Sequence, residues 1–278
     1  MASILSQPAP EGGSIHVNDR LRNTDFIMDG HHCHNTFELY YVESGSCRFI
    51  IDDHFFDLHP GDMILIPPRV LHYTRYLTGT CRRIITFFRS QDLPEKLTRQ
   101  MPMGPDFFST TRIFHVPEHH MAQVLHCFSR MVTEEKIQDP RSPLLLSLIL
   151  QELLLICARL CTFYDDLPTD IHTTDPLILQ AASFIHDHYM QPITTGDIAA
   201  AVGFSPNYLS RRFRQSTGIG PHEYLVFVRL RHAALELIST PDSIITIALR
   251  CGFSDSNYFK DSFKKKFGVT PRAYRRSG

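Results

Sequence analysis

Two stretches near the end of this 278-residue chain match each other along most of their length: IAAAVGFSPNYLSRRFRQSTGIGPHEYL (198–225) and IALRCGFSDSNYFKDSFKKKFGVTPRAYR (247–275). Ile198, Ala199, Gly203, Phe204 and Ser205 recur 49 residues later as Ile247, Ala248, Gly252, Phe253 and Ser254. Tyr208, Phe213, Gly218, Pro221 and Tyr224 recur 50 residues later as Tyr258, Phe263, Gly268, Pro271 and Tyr274, so one inserted residue shifts the register. Each copy reads as helix, tight turn, helix. Thr194 with Asp197 three residues on is an N-cap with an acidic partner, and Ser243 takes the capping part in the second copy. The first helix ends at Gly203 or Gly252, where the turn favours a residue tolerant of positive φ. Ser205 and Ser254 are placed to cap the helix that follows.

On that second helix Tyr208, Leu209 and Phe213, or Tyr258, Phe259 and Phe263, are expected to face the core. Asn207, Ser210, Arg211 and Arg214 then face outward in one copy, and Ser256, Asn257, Lys260, Lys264 and Lys265 in the other. A helix, a four-residue turn and a helix with a polar, basic face is the arrangement that lays a recognition helix in the major groove. For a single copy, a bundle with a solvated basic face explains the pattern as well. Two copies with matched caps, glycines and aromatics argue against that. The intervening segment 221–239 is long enough to hold both units on one rigid body. They would enter successive major grooves roughly 34 Å apart.

Charge points the same way. The net charge of −1 hides 13 Lys+Arg against 8 Asp+Glu from Asp175 onward, and 15 against 21 before it. Only the basic C-terminal part is suited to a polyanion. This part resembles the DNA-binding domain of the AraC/XylS family of bacterial transcription regulators. The resemblance is carried by Ile247–Ala248, Gly252–Phe253–Ser254, Tyr258–Phe259, Phe263–Lys264–Lys265, Phe267–Gly268 and Thr270–Pro271 through Tyr274–Arg275. It implies a seven-helix domain, binding to double-stranded promoter DNA, dimerisation through the other domain, and RNA polymerase as a further partner. Base contacts carry over to Asn207, Ser210 and Arg211, then Ser256, Asn257 and Lys260; asparagine suits adenine and arginine suits guanine. Arg212, Arg214, Lys264, Lys265 and Lys266 are expected on phosphates, which supply affinity without sequence information. The role of Asp261 is left open.

The N-terminal half has a different character. From 24 to 89, FELYYVESG, CRFIIDDHFFDL, MILIPP and CRRIITFF read as short strands, with Asp52-Asp53 and HPGD (59–62) as turns. Several such strands suggest a sandwich or small barrel. Residues 117–138 and 142–161 read as two helices, and the second is apolar on more than one face, which is read as a helix-pair dimer interface, with an intrachain core helix as the alternative. In HHCHNTFE (31–38), His32, His34 and Glu38 share strand parity and would point into a barrel with Tyr40. Their spacing resembles the first cupin motif, and Gly61, Pro67 and His72 resemble the second, although Arg69 stands where many cupins have glycine. The resemblance implies that His32, His34, Glu38 and His72 are the cupin metal set. Three imidazoles and a carboxylate suit Zn, Fe, Mn or Ni. They are read here first as effector-binding residues for a sugar or small organic acid, with no cofactor required and a divalent metal as the alternative. His31, His54 and His59 read as surface or turn residues, and Phe55 and Phe56 as core.

The expected class is therefore α+β: a cupin-like β-barrel with a helix pair for dimerisation, then an all-α domain with two helix-turn-helix motifs. Its parts are an arm (1–23), an effector-binding and dimerisation domain (24–165), a linker (166–176) and the DNA-binding domain (177–278). No catalytic residue is expected; a cupin metalloenzyme or metal sensor tethered to DNA is the competing function. Seven cysteines without a CxxC pair fit a reduced cytosol. Leu144–Leu155 is too short and interrupted to span a bilayer, and the N-terminus lacks a secretory pattern.

Overall fold

The computed structural model describes residues 15–26, 32–51, 54–77, 79–137, 139–163 and 175–277. The Asp52-Asp53 turn, His31 and most of the linker fall outside these residues, as do the first fourteen. In the N-terminal half, strands β1 (His16–Asn23), β2 (Phe37–Ser44), β3 (Cys47–Ile51), β4 (His54–Leu58), β5 (Asp62–Ile66), β6 (His72–Tyr76), β7 (Thr80–Phe88), β8 (Arg112–His115) and β9 (Thr162–Phe163) form two antiparallel sheets. Their orders are β1-β7-β2-β5-β8-β9 and β4-β3-β6. Strand β1 falls in the segment expected to be an arm: all eight of its residues pair with β7. Its charged, partly exposed sequence HVNDRLRN lacks the apolar alternation that marks a strand. It is an edge strand, held by backbone bonds on one side.

Strand β2 is apolar almost throughout because both its faces are covered. Leu39 and Tyr41 look out onto two helices, α2 (Glu118–Ile137) and α3 (Ser142–Leu160), where Tyr41 stacks on Phe128 and Cys157 meets Met63. The short helix α1 (Glu95–Thr98) lies before them. Glu38, Tyr40 and Val42 look inward, toward Phe49, Ile51 and Phe56 of the second sheet. The apolar residues on the outer face of that second sheet are covered as well. Ile50, Phe55, Leu71 and Tyr73 join the core of the C-terminal domain, where Phe55 stacks on Tyr224 at 5.6 Å. Phe55 is thus core, but of the interface rather than of the barrel. Burying one such side chain contributes about 1.5–3 kcal/mol.

The C-terminal domain consists of seven helices among the described residues: α4 (Pro176–His188), α5 (Thr195–Ala201), α6 (Pro206–Thr217), α7 (Pro221–Ser239), α8 (Ile244–Arg250), α9 (Ser256–Phe267) and α10 (Pro271–Ser277). Thr194 and Asp197 form a reciprocal capping box, and Ser205 and Ser243 cap α6 and α8. The cap of α9 is Asp255, not Ser254: its carboxylate accepts from the backbone N–H of Asn257 (2.7 Å) and Tyr258. The residue inserted between the copies lies at this cap, which displaces the serine by one position. Tyr208 and Tyr258, expected in the core, stand at the surface, 36% and 48% exposed. At 100° per residue they lie well off the stripe shared by Leu209 and Phe213, or by Phe259 and Phe263.

Candidate functional site

Each recognition helix is anchored by buried apolar residues, Leu209 and Phe213 in α6, and Phe259, Phe263 and Phe267 in α9. These anchors turn the opposite face to solvent. Asn207, Arg211 and Arg214 are exposed and Ser210 is half-buried; Asn257, Lys260, Lys264 and Lys265 are exposed and Ser256 is half-buried. The Arg211 guanidinium rests over the Tyr208 ring, which itself stacks on Phe204. Two expected phosphate contacts are occupied otherwise. Arg212 donates to Asp175, the N-cap of α4, at 2.7 Å. Lys266 is 14% exposed, lies 3.9 Å from Glu223 and faces the barrel rather than the basic surface. Asp261 is exposed beside Lys260.

Between the two units, the 19 residues of α7 bury eleven side chains and span about 28 Å at 1.5 Å per residue. Its Arg229 donates to the carbonyls of Tyr189 and Gln191, both at 2.7 Å, and so locks the end of α4 beside the Gly252 turn. A Cβ on Gly252 (φ +84°) would come within 2.3 Å of the Tyr189 carbonyl oxygen.

In the barrel, one ligand atom each from His32, His34, Glu38 and His72 lies within 4.8 Å of the others. His32 reaches this position through a single bridge: its N–H and C=O exchange bonds with His72 at 3.0 and 2.9 Å. His34 Nδ1 donates to the Thr36 carbonyl (2.8 Å) and His72 Nδ1 to the Val70 carbonyl (2.9 Å), which turns both Nε2 atoms toward Glu38. His34 Nε2 lies 2.8 Å from Glu38 Oε2, and His72 Nε2 lies 3.4 Å from the same oxygen without a sound hydrogen bond. His32 Nδ1 is also buried and unpartnered. Burial, then the charge of His72, holds the His32 imidazole well below its usual range. Burial pushes the Glu38 carboxyl up, but the hydrogen bond from His34 and the nearby imidazole of His72 outweigh it and hold it well below the carboxylate norm.

This donor set fits a divalent cation. Backbone carbonyls that fix Nδ1 are the usual orienting partners of metal-binding histidines. Tetrahedral donors at about 2.0–2.1 Å from zinc sit roughly 3.3 Å apart, so the cluster needs only a modest contraction. Tyr40 shares the inward face; its hydroxyl is buried and unpartnered, close to Cys47, Tyr76 and Arg83.

Residues 19–154 match the family model of the AraC-like ligand binding domain, and residues 198–277 match that of a helix-turn-helix domain. The chain belongs to the AraC family of transcription regulators. It is similar over most of its length to the HTH-type transcriptional activator RhaS of Klebsiella pneumoniae (strain 342), at 25% identity over 88% of this chain and 86% of the relative. RhaS of Escherichia coli (strain K12 / DH10B) is 26% identical over 96% and 94%. Among solved structures, a transcriptional regulator with an AraC-type DNA-binding domain from Chromobacterium violaceum is 36% identical over 37% of this chain and 91% of that one, with a TM-score of 0.35. This protein joins a ligand-binding domain to a DNA-binding one and regulates transcription.

Several residues of this AraC-family chain escape sequence reasoning. Arg272 and Arg276 are exposed and, with Lys260 and the Ser243 cap, line an open cleft of about 580 Å³ next to α9. The PRAYRR run holds the signal, but in sequence it stands out only as part of the family signature. Arg83, 6% exposed inside the barrel, donates to Asn18, and its Nε is unpartnered. Its parity with Tyr40 becomes readable only once the β2–β7 register is fixed.

Proposed function

We propose that the protein reads two successive major grooves with Asn207, Ser210 and Arg211 in one and Ser256, Asn257 and Lys260 in the next. Arg214, Lys264 and Lys265, joined by Arg272 and Arg276, hold the phosphates. The observation that carries this reading is the pairing of two exposed polar helix faces on the single scaffold of α7. Protection by the full chain of two half-sites about 10 base pairs apart tests it; equal affinity for specific and random duplexes would sink it.

The effector is proposed to bind at His32, His34, Glu38 and His72. A divalent cation suits this cluster better than an organic acid anion, which would bring further acceptors. With Nδ1 committed to carbonyls, the facing Nε2 atoms and the carboxylate are all acceptors unless a proton or a metal lies between them. A bound metal would draw the four side chains together and displace the proton between His34 and Glu38. A thermal-shift screen of sugars, organic acids and divalent metals separates the ligand classes.

A homodimer is proposed through α3, which leaves Leu144 (66%), Leu145 (43%), Leu148 (53%) and Leu155 (40%) exposed on the face turned away from the barrel. Its length and apolarity alone would also let it cross a bilayer, but its other face packs on Met63 and the barrel core. Leu148→Glu is expected to shift sedimentation from dimer to monomer, and an unchanged dimer would remove this interface. A cytoplasmic setting and contact with RNA polymerase complete the reading.

A further inference from the structure

The two helix-turn-helix units meet the barrel through different parts of it. The first docks on the outer face of the β4-β3-β6 sheet. Arg48 donates to the Ser216 carbonyl (3.1 Å) and hydroxyl (2.8 Å), Arg75 donates to the Arg214 carbonyl, and Tyr73 closes over Gly218. Strands β3 and β6 pair over five consecutive residues, so this platform is braced by a continuous ladder.

The second unit meets the segment that carries the histidines. Cys33, between His32 and His34, packs into the C-terminal core, with its Sγ 4.0 Å from the Lys266 carbonyl at the end of α9. Arg69 donates its backbone N–H to the His34 carbonyl at 2.8 Å, and its guanidinium sits 5.6 Å from the centre of the Tyr274 ring in α10. Arg69 holds φ +67°, in the left-handed region where glycine is at ease and arginine is strained. A strained non-glycine persists where its side chain is needed, and here that side chain reaches the second unit. Among the described residues, the His32–His34 segment is braced by the isolated bridge to His72 and the Arg69–His34 bond, not by a continuous strand ladder. A ligand that gathers His32, His34 and Glu38 therefore moves the very residues against which α9 and α10 rest.

We propose that the histidine–glutamate site is coupled through Arg69 and Cys33 to the second helix-turn-helix unit and not to the first. Ligand binding then sets the position of α9 while α6 stays clamped to the sheet, and the downstream half-site becomes the regulated one. The proposal rests on the effector reading above, with a divalent metal as the ligand.

Hydrogen exchange on the full chain tests it, with one equivalent of Co²⁺ as probe, because its d–d absorption reports coordination directly. Cobalt should slow exchange several-fold at 32–38 and at 266–274 and leave 206–217 unchanged. Arg69→Gly should keep the barrel folded, the cobalt band and the slowing at 32–38, but lose the slowing at 266–274. Slowing at 32–38 without any at 266–274, or equal slowing in both units, would overturn the coupling while leaving the metal site intact. If no cobalt band appears, the metal reading fails and the ligand-free proteins decide. Coupling then requires faster exchange at 266–274 in Arg69→Gly than in the parent, with 206–217 unaltered, and equal rates at 266–274 overturn it.

Discussion

The two helix-turn-helix units share caps, turns and apolar anchors, yet they differ wherever each meets the rest of the chain. In the first unit the Gly203 turn is open, with nothing within 4 Å of the place a Cβ would take, while the Gly218 end of the recognition helix is pressed against Tyr73. In the second unit the order is reversed. The Gly252 turn is packed against the end of α4, and Gly268 is open. The glycine of the first unit that is pressed on is thus the one at the far end of its recognition helix, against the barrel, and in the second unit it is the one at the turn, against its own domain. Duplication supplied two equal folds, and their surroundings made them unequal.

The largest expected effect follows from the turns. Gly252→Ala adds a Cβ 2.3 Å from a backbone oxygen and 2.8 Å from the Arg229 guanidinium, at a φ of +84°. Left-handed strain and overpacking together should cost about 3 kcal/mol or more. Gly203→Ala, at φ +77° in open space, should cost only about 1 kcal/mol. Urea denaturation of the two variants measures the difference, and equal losses would erase the distinction between the turns.

Base reading comes next. Arg211→Ala should lose about 1–3 kcal/mol on its preferred duplex and relax discrimination at one base pair. Lys260→Ala in the other unit should do the same at a different base pair. Competition binding against a library of single-base operator variants locates both positions. A loss spread evenly over all sequences would mean that either residue only touches phosphate.

These contrasts are unevenly legible in the sequence. The caps, glycines and anchors of both units can be read because a helix-turn-helix is specified locally, by residues within one turn of each other. Asp255 is hidden because one inserted residue shifts the cap, and Tyr208 and Tyr258 mislead because aromatic residues beside a core stripe look like core. In the barrel, parity places His32, His34 and Glu38 on one side, and the structure gathers them with His72. Tyr40 has that parity as well, but its depth along the strand decides its neighbours, and depth is not written in alternation. Strand β1 is hidden because a polar edge strand needs only backbone bonds on one side. The interface residues Arg48 and Tyr73 carry no local signal, since their meaning depends on a domain more than a hundred residues away, and Arg69 stands out only as a departure from the cupin glycine.

Docking of the first unit should be more modest in energy. Ser216→Ala removes one 2.8 Å bond from Arg48 while leaving the carbonyl contact and the bidentate pair of Arg48 with Asp57 in place. The expected loss is about 0.5–1.5 kcal/mol. It should appear as faster hydrogen exchange at the end of α6 with no change in α9; a change confined to α9 would mean that the two docking surfaces are not independent.

The smallest effect concerns the lysines, where the units differ in composition rather than packing. The last turn of α9 carries Lys264, Lys265 and Lys266, but Lys266 is turned toward Glu223 and the barrel, which leaves two exposed charges. The first unit offers Arg214, since Arg212 is held by Asp175. Counterion release gives each phosphate contact about 0.9 in the slope of log affinity against log salt. Lys265→Ala should therefore lower that slope by roughly 1 and weaken specific and random DNA alike. Lys266→Ala should leave the slope unchanged, because its ammonium faces away from the basic surface. If both lysines lower the slope equally, α9 must leave the barrel when DNA binds, and the second unit would be the one released by the operator itself.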